Sequence, residues 1–195
     1  MNFIFLLIVL AIAIIGYAIS IYNKLQTIKT RIKASIQEIG NQLKRQTGLI
    51  PNLSESAKGY LKHEKGIFDK LTEARKTVAS AIKSGSAQKM VDAQEILNKA
   101  LGALNVVVES NPEIKGSEVV SKLMEELRDT ADKVMYSRRT LIDLVADYNQ
   151  LLITFPSKII ADLFKFKPEE GLKVATAGAH LEVSEQELKA PKVKL

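Results

Sequence analysis

The sequence predicts an all-α fold in which an N-terminal transmembrane helix continues into an antiparallel, up-down four-helix bundle. Three observations predict it. From Asn2 to Asn23 there is no charged side chain, and Phe3 to Leu10, Ile12, Ile14, Ile15, Ile19 and Ile21 make the stretch strongly apolar. About 20 such residues, rising roughly 1.5 Å each, cross a hydrocarbon core about 30 Å thick. Beyond Lys24, Leu25, Ile28, Ile32, Ile36, Ile39 and Leu43 recur every three or four residues, so one helix serves as anchor and as first rod of the bundle. Finally, only 6% of residues are aromatic and none is Trp, while Ala, Leu, Ile, Lys and Glu abound; that favours helices over strands.

The chain has 195 residues, enough for an anchor (1–23), one bundle domain with its own core (24–166) and a flexible C-terminal tail (167–195). The absence of Cys removes disulfides, thiolate metal sites and cysteine nucleophiles, and leaves the redox compartment open. The net charge of +6 is uneven: Lys24, Lys29, Arg31, Lys33, Lys44 and Arg45 follow the apolar run, and Glu38 is the one acid before Glu55. Cytoplasmic flanks attract Lys and Arg, so the bundle is expected in the cytoplasm, on a single span of the bacterial inner membrane. Basic side chains near anionic headgroups each contribute on the order of 1 kcal/mol. The basic cluster has no interleaved aromatics and no nucleic-acid module, so nucleic acid is not an expected partner. Ala18 and Ser20 offer small residues at signal-peptidase spacing. The long apolar run without a basic residue before it, and the periodicity that continues past them, favour a retained anchor.

Taken in order, the first helix is expected to stop near Thr47, where Gly48 and then Pro51 interrupt it. A second helix is expected from Asn52 or Ser54, with Asn52 and Glu55 at capping-box spacing, up to the turn Ser84-Gly85-Ser86. The third, Ala87 to Ser110, turns Met90, Ile96, Leu97, Leu101, Leu104, Val107 and Val108 inward and closes at Asn111-Pro112. Gly116 and Ser117 open the fourth, with Ser117 as N-cap and Val119, Val120, Leu123, Leu127, Val134, Leu141, Leu144, Val145, Tyr148, Leu151, Leu152 and Phe155 as its apolar face. It is the longest bundle helix, so part of it is expected to project or bend. Short connections alternate helix direction, so its C-terminus returns to the membrane end. There Ser157 to Phe166 carries Ile159, Ile160, Leu163 and Phe164 against Lys158, Asp162 and Lys165; this short helix either packs on the bundle, the preferred reading, or lies in the membrane interface.

Nothing in the chain composes a catalytic, cofactor or metal motif. His63-Glu64 lacks the second His of a zinc-protease helix, Ile67 standing in its place; a di-iron bundle would need Glu at Tyr60 and a second such pair, and the other His is His180. Glu125, Glu126, Asp129 and Asp132 alternate with Lys122, Arg128 and Lys133 as on a solvated helix face. Arg138 and Arg139, beside Tyr136 and Ser137, read as edge ion pairs before they read as a phosphate or partner site. No P-loop, glycine-rich nucleotide turn or nucleophile elbow is present.

The stretch Gln42-Leu43-Lys44-Arg45-Gln46-Thr47-Gly48-Leu49-Ile50-Pro51-Asn52-Leu53 resembles the signature of the LemA family of bacterial membrane proteins. Tyr22-Asn23-Lys24-Leu25, Gly59-Tyr60 with His63-Glu64, Arg138-Arg139, Tyr148-Asn149 and Phe155-Pro156 resemble further family motifs, in family order, over about residues 1–166. The chain departs from the pattern where the family usually has a second Arg (Gln46), an acid (Gly48) and an aromatic-Asn pair (Leu141, Ile142), and so looks like a divergent member. The resemblance implies a membrane-anchored helical bundle without an established enzymatic activity. Read physically, the signature is a helix–loop–helix corner in which Leu49, Ile50 and Leu53 plug the end of the core.

The expected function is that of a non-enzymatic membrane scaffold or interaction protein, possessing no cofactor, and self-association through the apolar seams of its long, coiled-coil-like helices fits it. The alternative is a lipid-binding or membrane-remodelling protein acting through the basic juxtamembrane segment and residues 157–166.

Overall fold

Heptad-like spacing of buried residues organises the computed structural model, which describes residues 2–58 and 65–173. Helix α1 runs Asn2–Ala57 without a break. Its first 20 or so residues expose their apolar side chains, and this is one helix long and apolar enough to cross a membrane. From Leu25 onward it buries Leu25, Ile28, Ile32, Ser35, Ile39, Leu43, Gln46, Ile50, Leu53 and Ala57, in steps of three or four. Helix α5 (Glu118–Ile153) answers with Val120, Leu127, Thr130, Val134, Ser137, Leu141, Leu144, Tyr148 and Leu152. Such spacing keeps one stripe of each helix on its neighbour over many turns. Accordingly α1 and α5 form the most extensive helix pair in the molecule. They are antiparallel, because Ser35 lies beside Ser137 and Gln46 beside Leu127.

Helices α2 (Lys65–Ser84) and α3 (Ala87–Ser110) form a hairpin that packs on the outer half of α1. Gly85 has φ +68°, in the left-handed region that a glycine enters without a Cβ penalty, and Ser86 caps α3 by accepting a hydrogen bond from the Lys89 amide. The hairpin tip reaches α1 near Gly40, where an added Cβ would lie 3.6 Å from Met90 Sδ. Asn111 ends α3 and caps a single further turn, α4 (Pro112–Lys115), accepting from the Glu113 and Ile114 amides. Ser117 caps α5 as the sequence indicates. The direction of the helices alternates as expected, so α5 ends beside the point where the apolar segment gives way to the bundle.

Three expectations are corrected. The first helix does not stop at Thr47, and the signature is not a helix–loop–helix corner; Gly48, Pro51 and Asn52 all lie inside α1. Proline in a helix interior costs about 3 kcal/mol, through a lost N–H bond and a clash of its ring. Ile50 immediately before it and Leu53 two residues after it, both almost fully buried, return about 1.5–3 kcal/mol each, enough to carry the helix through. The second helix accordingly begins at Lys65 and not at Asn52 or Ser54. Replacing Pro51 by Ala should raise the stability of the protein by about 1–3 kcal/mol, read from thermal unfolding. Destabilisation by that substitution would mean the corner exists in solution. Second, α5 does not project: α1 extends past Pro51, and α5 is buried on the bundle from Val120 to Leu152. Third, Ile96, Val119 and Phe155, expected inside, are exposed, because the buried stripes run instead through Ala93, Leu97 and Ala100 and through Val120 and Leu127, and α5 ends at Ile153, before Phe155.

Candidate functional site

The densest concentration of polar contacts between distant parts of the chain is a collar at the junction of the apolar segment and the bundle. Leu25 and Tyr148 are fully buried there. After α5 the chain passes Phe155-Pro156 and forms α6 (Ser157–Leu163), which buries Ser157, Ile160 and Ala161 on the bundle. Ser157 Oγ donates to the carbonyls of Leu151 (2.8 Å) or Thr154 (2.9 Å), satisfying the carbonyl end of α5 where helical partners run out. Packing of the 157–166 segment on the bundle is thus found, although only on one face of the helix.

A reversal ends α6. Lys165 has φ +56°, the amide of Phe166 donates to the Ala161 carbonyl and that of Lys165 to the Asp162 carbonyl, which together make a Schellman stop with lysine where glycine is usual. A lysine there is held in a region that costs an L-residue about 1 kcal/mol or more. Aromatic packing holds it: the Tyr22 ring lies 4.8 Å from Phe164 and 5.6 Å from Phe166, centroid to centroid, both tilted.

Residues 167–173, expected to begin a flexible tail, instead form a strap that climbs back along α5. The Tyr148 hydroxyl donates to the Lys167 carbonyl (3.1 Å). Asn149 takes both backbone polar groups of Glu169, its Nδ2 donating to the carbonyl (2.8 Å) and its Oδ1 accepting from the amide (3.0 Å). Lys29 Nζ meets Glu169 Oε1 at 3.2 Å, tying the strap to α1 as well. Higher up, the Lys173 amide donates to Gln88 Oε1 (2.8 Å) at the start of α3. The strap therefore joins α1, α5 and the tip of the α2–α3 hairpin. Burial pushes the Tyr148 hydroxyl above its ordinary pKa; the positive charge of Lys29 works against that shift and the negative charge of Glu169 adds to it.

A second polar feature lies deep in the α1–α5 seam. Gln46 is fully buried; its Nε2 donates to the Leu127 carbonyl (3.3 Å) while its Oε1 has no protein partner. It floors a groove of about 310 Å³ between α3 and α5, walled by Asn98, Gly102, Asn105, Met124 and Arg128. Ser35 Oγ bonds the Ser137 carbonyl (3.0 Å), bringing the two helix backbones close together.

The residues weighed in the sequence fall as follows. Leu25 of Tyr22-Asn23-Lys24-Leu25 and Tyr148 of Tyr148-Asn149, far apart in the chain, are both buried in the core at the collar, while Phe155-Pro156 lies between α5 and α6 with Phe155 exposed. Gln46 lies in the seam, Gly48 faces solvent, Leu141 is buried and Ile142 exposed. Glu125, Glu126, Asp129 and Asp132 are exposed on α5, and Asp129 pairs with Lys133 at 2.6 Å. Arg138 is half-buried and Arg139 exposed, and among the described residues neither has an ion-pair partner, contrary to the edge-pair reading. Tyr60, His63, Glu64 and His180 lie outside the described residues. Among those described, no group of three or more His, Asp or Glu side chains is placed to hold a metal. The strap was missed by sequence reasoning; the Tyr148-Asn149 pair, polar tips on an otherwise apolar face, was the one signal of it.

An apolar N-terminal helix that continues as a long rod, a second rod returning beside it and a strapped collar between them define a class of all-α bundle proteins with an N-terminal apolar segment. The LemA family model matches residues 35–193, four-fifths of the chain, and the protein belongs to the LemA family. None of the curated proteins compared with the chain matches it.

Proposed function

We propose that the protein is a single-pass, membrane-anchored, non-enzymatic scaffold that holds a rigid helical bundle at the cytoplasmic surface of a bacterial inner membrane and presents it to protein partners, further copies of itself among them. The observation that carries this reading is the continuity of α1: 56 residues, about 84 Å, with exposed apolar side chains at one end and a buried stripe at the other. A helix that enters the bundle without a hinge transmits its fixed position in the bilayer to everything packed on it. Lys24, Arg31, Lys33, Lys44 and Arg45 are exposed on the bundle side of the apolar run, and that distribution favours a cytoplasmic bundle. Exposed Met135 and Tyr136 on α5 supply an apolar surface for partners.

A photo-crosslinking residue at Tyr136, and another at Val106 on α3, in the full chain within native membranes should give discrete crosslinked protein products. Absence of products from both positions would contradict a scaffold. A second reading, lipid binding through the basic segment and residues 157–166, is favoured by one observation: Ile159 and Leu163 are exposed on the outward face of α6.

A further inference from the structure

We propose that α6 and the turns flanking it form a foot seated in the lipid headgroup interface, giving the bundle a second attachment to the bilayer beside its anchor. This rests on the reading of residues 2–23 as a membrane span. Height along the molecule comes first. Tyr22 immediately precedes Asn23 and Lys24, the first charge in the chain, so its ring marks the level at which α1 leaves the hydrocarbon. Phe164 and Phe166 pack on that ring, which fixes the end of α6 at the same level.

Chemistry agrees with the position. Ile153 is 75% exposed, Phe155 80%, Ile159 54%, Leu163 68% and Phe164 52%, five large apolar side chains within one short stretch of chain. On a face in water this would be an apolar patch in need of a partner. The same stretch, Ile153 to Phe164, carries two charges, Lys158 and Asp162, on the outward face of α6, and they pair with each other at 2.8 Å. Beyond them Lys165 and Lys167 are cations suited to anionic headgroups, while the carboxylate of Glu169 is taken by Lys29. Meanwhile Ser157, Ile160 and Ala161 hold the helix to the bundle, so the outward face cannot turn away from the interface. Lys165, in its left-handed conformation, then directs the strap back up α5 and away from the bilayer.

Two attachment points instead of one would fix the tilt and rotation of the bundle relative to the membrane plane. The chain has no Trp, so single indoles report cleanly. The test uses the full chain with L163W, or F155W as a second variant, in phosphatidylcholine–phosphatidylglycerol vesicles whose acyl chains are brominated at graded depths. I12W in the span and V119W at the far end of α5 are the references. The L163W and F155W indoles should emit at shorter wavelength than V119W and be quenched most by bromines nearest the headgroups, while I12W is quenched by deeper ones. If I12W is quenched and L163W and F155W behave like V119W, the foot is wrong and the anchor stands. If I12W also escapes quenching, the spanning reading falls and the foot with it. A blue-shifted but unquenched L163W would mean that a second copy, not lipid, covers the patch, and would overturn the proposal.

Discussion

Replacing Leu53 by Asp should destabilise the protein by more than about 4 kcal/mol, enough to abolish cooperative unfolding in the full chain in detergent. Leu53 is 1% exposed at the far end of α1, beyond Pro51, in the same buried cluster as Ile50, Ala57, Ile67 and Ile114. The substitution removes a buried aliphatic side chain and sets an ionisable carboxyl among apolar neighbours without a partner, and each change alone is costly. Glu55, two residues on, is exposed, and its replacement by Ala should shift stability by less than about 0.5 kcal/mol. An L53D protein that melts like the parent would mean that the end of α1 packs on nothing, and the rod would then end near Thr47 after all.

The second large effect concerns the collar. Tyr148→Ala should cost about 3–5 kcal/mol, the usual range for truncating a fully buried large aromatic side chain. Tyr148→Phe keeps the ring and removes only the bond to the Lys167 carbonyl, so about 1 kcal/mol is expected. The two variants separate packing from the strap's hydrogen bond, and limited proteolysis after Phe166 should accelerate in both. The hydroxyl also gives a pH signature. Its pKa in the folded protein is raised, chiefly by burial, with Lys29 opposing and Glu169 adding. Above about pH 10, the value in the unfolded chain, the unfolded state loses the proton first. The stability linked to Tyr148 is therefore fully present below about pH 10 and declines as pH rises toward the folded value. The readout is the difference between parent and Y148F: the parent should lose more stability between pH 9 and pH 11. Parallel losses would contradict the burial of the hydroxyl.

Much of this architecture was legible because it is written in local signals. The charge-free run before Lys24, the Ser84-Gly85-Ser86 turn, the cap Ser117 and the heptad-like stripes of α1 and α5 each depend on residues close together in sequence. What escaped depends on distance. Gly48 and Pro51 are genuine breaking signals, overridden by the burial of Ile50 and Leu53 against helices that lie elsewhere in the chain. The one-turn α4 follows from Asn111 capping a segment too short to show periodicity. Ile96 and Val119 satisfy a helical pattern yet face out, because periodicity gives a stripe but not its edge. The strap left least trace, since Lys167, Glu169 and Lys173 are held mainly through backbone groups, and backbone groups are the same in every sequence. At the collar, the aromatic and Asn residues were visible as motifs, but their meeting in space was not.

The central claim, a bundle held at the cytoplasmic face of the membrane by the N-terminal helix, is tested most directly by protease accessibility of a tag placed after Leu195 in bacterial spheroplasts. The account predicts a tag that sediments with membranes and survives protease until the membrane is opened. A tag cleaved on intact spheroplasts, or one recovered in the soluble fraction, would contradict it, the first by inverting the topology and the second by removing the anchor.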